Sequence, residues 1–91
     1  MGKNVERKNT LLDLITANDY PYINTYLSKQ EFFELEEFIK DNCFIINKYE
    51  KENKWEYEIE YEFLYKAKPI LLKRFKSYTN NEEYFLLRCE K

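Results

Sequence analysis

Four glutamates at alternate positions are the residues with the clearest chemical potential in this sequence. They are Glu56, Glu58, Glu60 and Glu62. On a β-strand, alternate side chains point to the same side at intervals of roughly 6.6–6.8 Å. This repeat is comparable to the spacing of successive phosphates on one nucleic-acid strand. The row predicts an acidic surface that enters a basic nucleic-acid-binding groove of another protein; the alternative is a solvated strand face that prevents aggregation.

A second candidate contact surface precedes this glutamate row. At helical spacing, Phe33 falls within an acidic face, with Glu36 and Glu37 beside it. A large apolar side chain in such a place either packs on another element or anchors a binding partner. We therefore include Phe33, Glu36 and Glu37 among the predicted partner-binding residues.

Basic residues are concentrated after the glutamate row. They are Lys66, Lys68, Lys73, Arg74 and Lys76. On one helix face, with aromatic residues nearby, such side chains contact phosphates while the rings stack on bases. This gives an alternative hypothesis, a nucleic-acid-binding regulator. The competing interpretation is a solvated helix face whose cations lie toward the helix C-terminus.

The composition excludes most catalytic and cofactor chemistry. The chain has no His, which rules out Ser–His and Cys–His nucleophiles, and its two cysteines are too few for a zinc site. The single glycine, Gly2, rules out phosphate-binding loops and the dinucleotide fingerprint. Carboxylate pairs are plentiful, but 91 residues leave little room for a cleft of roughly 300 Å³. We expect no catalytic residues, no metal and no cofactor, and hence no enzyme.

Charge, hydropathy and cysteine content indicate a cytoplasmic protein. The net charge of −2 argues against a general polyanion-binding coat. The longest apolar run, residues 43–46, is far shorter than the roughly 20 residues of a membrane span. Cys43 and Cys89 are typical of reduced thiols, with a disulfide between them as the alternative. Residues with AT-rich codons (Lys, Asn, Ile, Tyr and Phe) make up 44 of the 91, which favours a phage or mobile element of a low-GC bacterium.

Two helices are predicted in the first half of the chain. Thr10, with Asp13 three residues later, predicts the start of a helix that ends near Asn18. Ser28 and Glu31 form a capping box for the second helix, which runs to residue 42. The apolar stripe of this helix is Phe32, Leu35, Phe38 and Ile39. Residues 20–27, between the two helices, fit either an extended segment or a short helical turn.

A β-hairpin carries the glutamate row. Strict alternation over residues 55–63 predicts a strand, and residues 43–50 are its predicted partner. A three-residue loop at 51–53 places Lys48 opposite Glu56 and Glu50 opposite Lys54, both attractive pairs.

The rest of the chain predicts a third helix and a last strand. Pro69 suits the first turn of a helix. The apolar stripe of that helix would be Leu71, Leu72, Phe75 and Tyr78. With a final strand over residues 84–89, the predicted order is α-α-β-β-α-β. This is an α+β fold in which helices pack on a small antiparallel sheet. We expect a frayed segment over residues 1–9 and a single domain over 10–91.

These patterns favour a small non-catalytic protein-binding module. Its predicted action is stoichiometric inhibition or regulation of a larger protein, such as a nucleic-acid-binding enzyme. Nine tyrosines, among which Tyr20, Tyr22 and Tyr26 are the best candidates for exposure, also suit an interface. A homodimeric structural or interaction subunit is therefore a further alternative.

Overall fold

A computed structural model of the chain describes residues 9–17 and 22–90, which form two helices and five strands. In chain order, the elements are α1 (Thr10–Ala17), β1 (Tyr22–Leu27), α2 (Lys29–Asn42), β2 (Phe44–Glu52), β3 (Glu56–Tyr65), β4 (Lys68–Ser77) and β5 (Glu83–Glu90). The strands form one antiparallel sheet in the order β1-β5-β4-β3-β2, with β4 in the centre. Of the segment predicted to fray, only Asn9 lies within the described residues.

The second helix agrees closely with the sequence prediction. The Ser28 hydroxyl accepts a hydrogen bond from the Glu31 amide at 3.1 Å, and the Glu31 carboxylate accepts one from the Ser28 amide at 2.8 Å. Both bonds satisfy amides that the first turn of a helix leaves without partners. Phe32, Leu35 and Ile39 are buried along one face. The capping box and the apolar stripe together explain why α2 forms and which way it faces.

The first helix starts with a different capping residue from the one predicted. Asn9, not Thr10, accepts a hydrogen bond from the Leu12 amide, at 3.0 Å from its side-chain oxygen. Asparagine and threonine are both good capping residues, so the sequence did not separate them. Leu12 and Ile15 bury the apolar side of this two-turn helix in the main core.

The prediction of a third helix is wrong, because those residues form β4. Leu71, Leu72 and Phe75 satisfy a helical period and a strand equally well. On its open face the strand carries Leu71 and Phe75 as well as Lys73, so apolar side chains occur on both faces and simple alternation is lost. The order of elements is therefore α-β-α-β-β-β-β, and the segment left open at 20–27 contributes β1.

A two-residue turn connects β3 to β4. Lys66 and Ala67 both have positive φ angles, 51° and 64°, as a type I′ hairpin turn requires. Asn and Gly are the usual residues at such positions, and neither occurs here. The sequence therefore lacks the ordinary signal of this hairpin.

The β2–β3 hairpin exists, but in a different register from the predicted one. Glu50 pairs with Ile59 and Lys48 with Tyr61, so the loop lies over residues 53–55. The Asn53 side chain fixes this loop, since its oxygen accepts from the amides of both residues 55 and 56, at 2.8 and 3.0 Å. A register shift between Ile45 and Asn47 adds an irregularity to this outer strand.

The two faces of the sheet have different surroundings. Both helices of the described ranges pack on one side, which we call the covered face, and the core lies between them and the sheet. On β3 this face carries Tyr57, Ile59, Tyr61, Phe63 and Tyr65. The intervening residues point to the opposite side, which we call the open face.

Candidate functional site

The predicted glutamate row lies on the open face, along β3. Glu56, Glu58, Glu60 and Glu62 alternate with the buried residues of that strand. Their partners on β4 in the sheet register are Ser77, Phe75, Lys73 and Leu71. The row therefore runs beside the central strand, and no helix in the described ranges packs over it.

Lysines of the neighbouring strands neutralise much of this row. The Lys73 ammonium lies 2.8 Å from a Glu58 oxygen and 3.5 Å from a Glu60 oxygen. The hydrogen bond that Lys73 donates to the Glu58 carboxylate raises the pKa of Lys73. Lys51 lies 3.0 Å from Glu56 in the same way. The row is consequently an ion-pair network rather than four free charges.

Glu62, at the end of the row, differs from the other three glutamates. Its side chain is exposed and makes no ion pair with any residue that the structure describes. It is therefore the carboxylate of the row that a partner reaches without displacing a lysine.

An aromatic strip lies across the other half of the open face. It consists of Tyr26 on β1, Tyr84 on β5 and Phe75 on β4. Tyr84 stacks on Phe75 with ring centres 5.3 Å apart and meets Tyr26 edge-on at 6.0 Å. Leu86 lies buried in this region, although it points away from the main core. Tyr26 is 71% exposed, so the strip is open to solvent at its outer end.

Another row of paired residues crosses the open face nearer the β3–β4 turn than the aromatic strip. In register order from β2 to β1, it consists of Asn47, Glu62, Leu71, Arg88 and Asn24. A cavity of about 160 Å³ opens here and is lined by Glu62, Pro69, Ile70, Leu71 and Arg88. A smaller one of about 60 Å³ continues it toward β2 and shares Glu62 and Leu71.

The predicted contact residues on α2 lie on the other side of the sheet from the glutamate row. Phe33 packs edge-on against Phe32 at 5.4 Å between ring centres, with Phe85 beyond it at 6.5 Å. Glu36 accepts a hydrogen bond from the Tyr61 hydroxyl at 2.6 Å. Only Glu37 is exposed without a described contact. Phe33 is partly packed but still 38% exposed, and Glu36 is hydrogen-bonded within the chain, so the predicted site divides into two separate surfaces.

The basic residues of the alternative hypothesis do not form one patch. Because this segment is a strand rather than a helix, neighbouring side chains point to opposite sides, with Lys73 on the open face and Arg74 on the covered face. The Arg74 guanidinium pairs with Glu83 at 3.0 Å and lies 5.3 Å from the centre of the Phe33 ring. Half-buried and paired, it is not available to a phosphate.

The three remaining lysines are also separated from one another. Lys66 pairs with Asp13 at 2.8 Å, and Lys68 donates to the main-chain oxygen of Thr16 at 2.6 Å. Lys76 lies 6.0 Å from the centre of the Tyr78 ring. The first two tie α1 to the β3–β4 turn, which accounts for them without a nucleic acid.

Tyrosines of β3 make hydrogen bonds to carboxylates on the covered face. The pairs are Tyr57 with Glu50 at 2.8 Å, Tyr61 with Glu36 at 2.6 Å and Tyr65 with Asp13 at 2.6 Å. Burial, reinforced by the hydrogen bond, raises the pKa of Tyr57 to about 12. The same two causes raise the pKa of Tyr61 and Tyr65. Part of the high tyrosine content is thus explained by packing alone.

The cysteines and carboxylates give no further site in the described ranges. Cys43 is half-buried and Cys89 is buried, and both are free thiols. Burial raises the pKa of the Cys43 thiol. Within residues 9–17 and 22–90, no group of three or more Cys, Asp or Glu side chains is placed to hold a metal ion. Neither α1 nor α2 has the length and apolar character to cross a membrane.

The sequence analysis missed Arg88 and the pairing of Phe75 with Tyr84. Both depend on β4 being the central strand, which the helical interpretation of that segment concealed. Comparison with protein-family models, curated proteins and solved structures gave no significant match. The function is therefore argued from the geometry of the open face.

Proposed function

We propose that this chain is a non-catalytic binding module that acts stoichiometrically as an inhibitor or regulator of a larger protein. The open face carries the proposal, because it presents an exposed aromatic strip and, nearer the β3–β4 turn, a glutamate that has no described ion pair. Aromatic side chains in the middle of a contact surface supply much of the energy of protein association. Rigid strands hold them in place here, so little ordering is needed on binding.

The charge pattern of the open face favours a protein over a nucleic acid as the partner. Glutamates lie along β3, whereas Arg88 lies two strands away on β5. A nucleic-acid backbone carries one sign of charge throughout and would meet the glutamates as well as the arginine. A protein surface can match both signs in order.

Mimicry of nucleic acid is a narrower form of the same proposal. It requires a basic groove on the partner to displace Lys51 from Glu56 and Lys73 from Glu58. We therefore assign recognition first to Glu62 and the aromatic strip. We propose the cytoplasm as the compartment, which is consistent with two free thiols.

A matched pair of charge reversals tests this assignment. The tagged chain is used to capture proteins from a nuclease-treated lysate of its source cells, in parallel with Glu62→Lys and Glu37→Lys. Both residues are exposed and both variants change the charge equally, but they lie on opposite sides of the molecule. We expect one stoichiometric protein partner, lost with Glu62→Lys and retained with Glu37→Lys.

Other results would overturn the proposal. Equal capture by the two variants would exclude the open face as the binding surface. Recovery of nucleic acid alone, and only without nuclease, would favour the nucleic-acid alternative. Light scattering that gives twice 11.3 kDa for the purified chain, together with no captured partner, would favour the homodimer.

A further inference from the structure

Arg88 has a buried side-chain hydrogen-bond donor that is unused among the described residues. Its Nε atom is buried and has no hydrogen-bond partner there. Its guanidinium carbon lies 5.8 Å from the centre of the Tyr22 ring, which holds the side chain against β1. No acidic side chain of the described ranges forms an ion pair with it.

Arg74, in the same sheet, is an arginine whose guanidinium has both an ion-pair partner and ring contacts within the chain. Its Nε donates to Glu83 at 3.0 Å, and a terminal nitrogen contacts the same oxygen at 3.0 Å. Phe33 and Tyr57 lie over its guanidinium at 5.3 and 5.4 Å. Arg88 has the ring contact but lacks the carboxylate. Because a buried donor without a partner is costly, the difference calls for an acceptor from outside the chain.

The space for such an acceptor is the cavity of about 160 Å³ beside Arg88. Leu71 and Pro69 form apolar walls of this cavity, which opens to solvent on the open face. Glu62 lines the same cavity and lies two strands from Arg88, about 10 Å away between main chains. The cavity thus offers a cation near one wall and an acceptor near the other.

We propose that this cavity, the Arg88 pocket, binds a peptide carboxylate supplied by the protein partner. This inference rests on the proposed function and names the chemistry that the partner must bring. A guanidinium binds a carboxylate through two parallel hydrogen bonds. Glu62 disfavours a doubly charged phosphate in the same space and accepts a hydrogen bond from an amide next to the carboxylate.

Nuclear magnetic resonance of the arginine side chains tests the pocket without the partner. The sequence has three arginines, Arg7, Arg74 and Arg88, so the Nε–Hε signals are few and can be assigned. The chain is titrated with sodium propionate, which represents an acidic side chain, and with N-acetylglycine, which represents a peptide C-terminus. Sodium chloride at equal ionic strength is the control. We expect a saturable shift of the Arg88 signal and no comparable shift for Arg74.

The two titrations also identify the source of the carboxylate. Tighter binding of N-acetylglycine assigns the pocket to a chain terminus, and equal or tighter binding of propionate assigns it to an Asp or Glu side chain. Either result supports the proposal. An Arg88 signal that shifts no more than that of Arg74, or that responds equally to chloride, overturns it.

A conservative variant separates this proposal from the proposed function. Arg88→Lys keeps the positive charge but cannot form the bidentate hydrogen bonds that a guanidinium makes with a carboxylate. We expect partner capture to fall about tenfold or more, the usual effect of losing a charge-assisted hydrogen bond. If Arg88→Lys captures the partner normally while Glu62→Lys does not, the Arg88 pocket is excluded and the binding module stands. If neither variant changes capture, both proposals fail.

Discussion

The two faces of the sheet use the same kinds of residue for different purposes. On the covered face, tyrosines, carboxylates and Arg74 satisfy one another beneath the helices. On the open face, the Tyr26 hydroxyl, the Glu62 carboxylate and the Arg88 Nε atom have ring contacts at most, with no hydrogen bond or ion pair to a described residue. Residue type alone therefore does not indicate function in this chain. The informative property is whether a polar or aromatic group already has its partner.

This contrast explains how a small domain can stay stable while polar groups on one surface have no partner within the chain. The core that stabilises the chain lies almost entirely on one side of the sheet. Changes on the open face are expected to cost little stability, which leaves that face free to vary for binding. The following predictions test this separation, beginning with the largest expected effect.

Adjacent leucines of β4 provide the most direct comparison. Leu72 is fully buried on the covered face, and Leu71 is half-buried on the open face. We expect Leu72→Ala to lower the free energy of unfolding by about 2–5 kcal/mol and Leu71→Ala to lower it by about 1 kcal/mol or less. Urea unfolding followed by circular dichroism measures both. Equal losses would show that the open face also belongs to the stabilising core.

Two arginines give the second comparison. Arg74→Met leaves the Glu83 carboxylate half-buried without its cation, so we expect a loss of about 1–2 kcal/mol. Arg88→Met removes a donor that had no partner, so we expect stability within about 0.5 kcal/mol of the original chain or slightly above it. Thermal and urea unfolding measure the change in unfolding free energy for each variant. A larger loss for Arg88→Met would indicate a stabilising contact at that residue.

The tyrosines of the covered face predict a loss of stability in alkali. The pKa of Tyr57 rises from 10.0 to about 12 on folding, so its folded form keeps the proton where the unfolded chain releases it. The stability that this proton provides is complete below pH 10 and disappears as the pH rises through about 12. Tyr57→Phe keeps the ring and should flatten this decline. An unchanged slope of unfolding free energy against pH in Tyr57→Phe would contradict the assignment.

The turn between β3 and β4 offers a change in stability that should leave binding unaffected. Ala67 has a φ of 64°, a conformation that disfavours residues with a Cβ atom. We expect Ala67→Gly to gain about 0.5–1 kcal/mol, because strain relief exceeds the added freedom of the unfolded chain. Partner capture by this variant should equal that of the original chain. A change in capture would place the turn in the binding surface.

Local patterns predicted the elements that local forces determine. The capping box at Ser28 and Glu31 and the alternation along β3 depend on neighbours in sequence, and both predictions are confirmed. Strand β4 depends instead on having a neighbouring strand at each edge, which supplies hydrogen-bond partners for its main chain. Leu71 and Leu72 fit a helix until those neighbours are known. The helical prediction failed for this reason.

The candidate site was visible only in part for the same reason. The common direction of the four glutamates follows from alternation alone. The order of strands brings Lys73 to Glu58 and Glu60. It also places Arg88 in the same row as Glu62. Sequence spacing could not supply that order, because β5 lies between the first and fourth strands of the chain.

The pairing of β1 with β5 has a consequence for synthesis of the chain on the ribosome. Tyr22 lies opposite Glu90, so the first strand to emerge waits more than 60 residues for its partner. Strands β2, β3 and β4 form neighbouring hairpins and can assemble as they appear, whereas β1 is held only once β5 is complete. A premature stop codon before residue 83 would remove the partner of β1 and one side of β4 together. Synthesis of strand β5 therefore decides when the nascent chain can close its sheet.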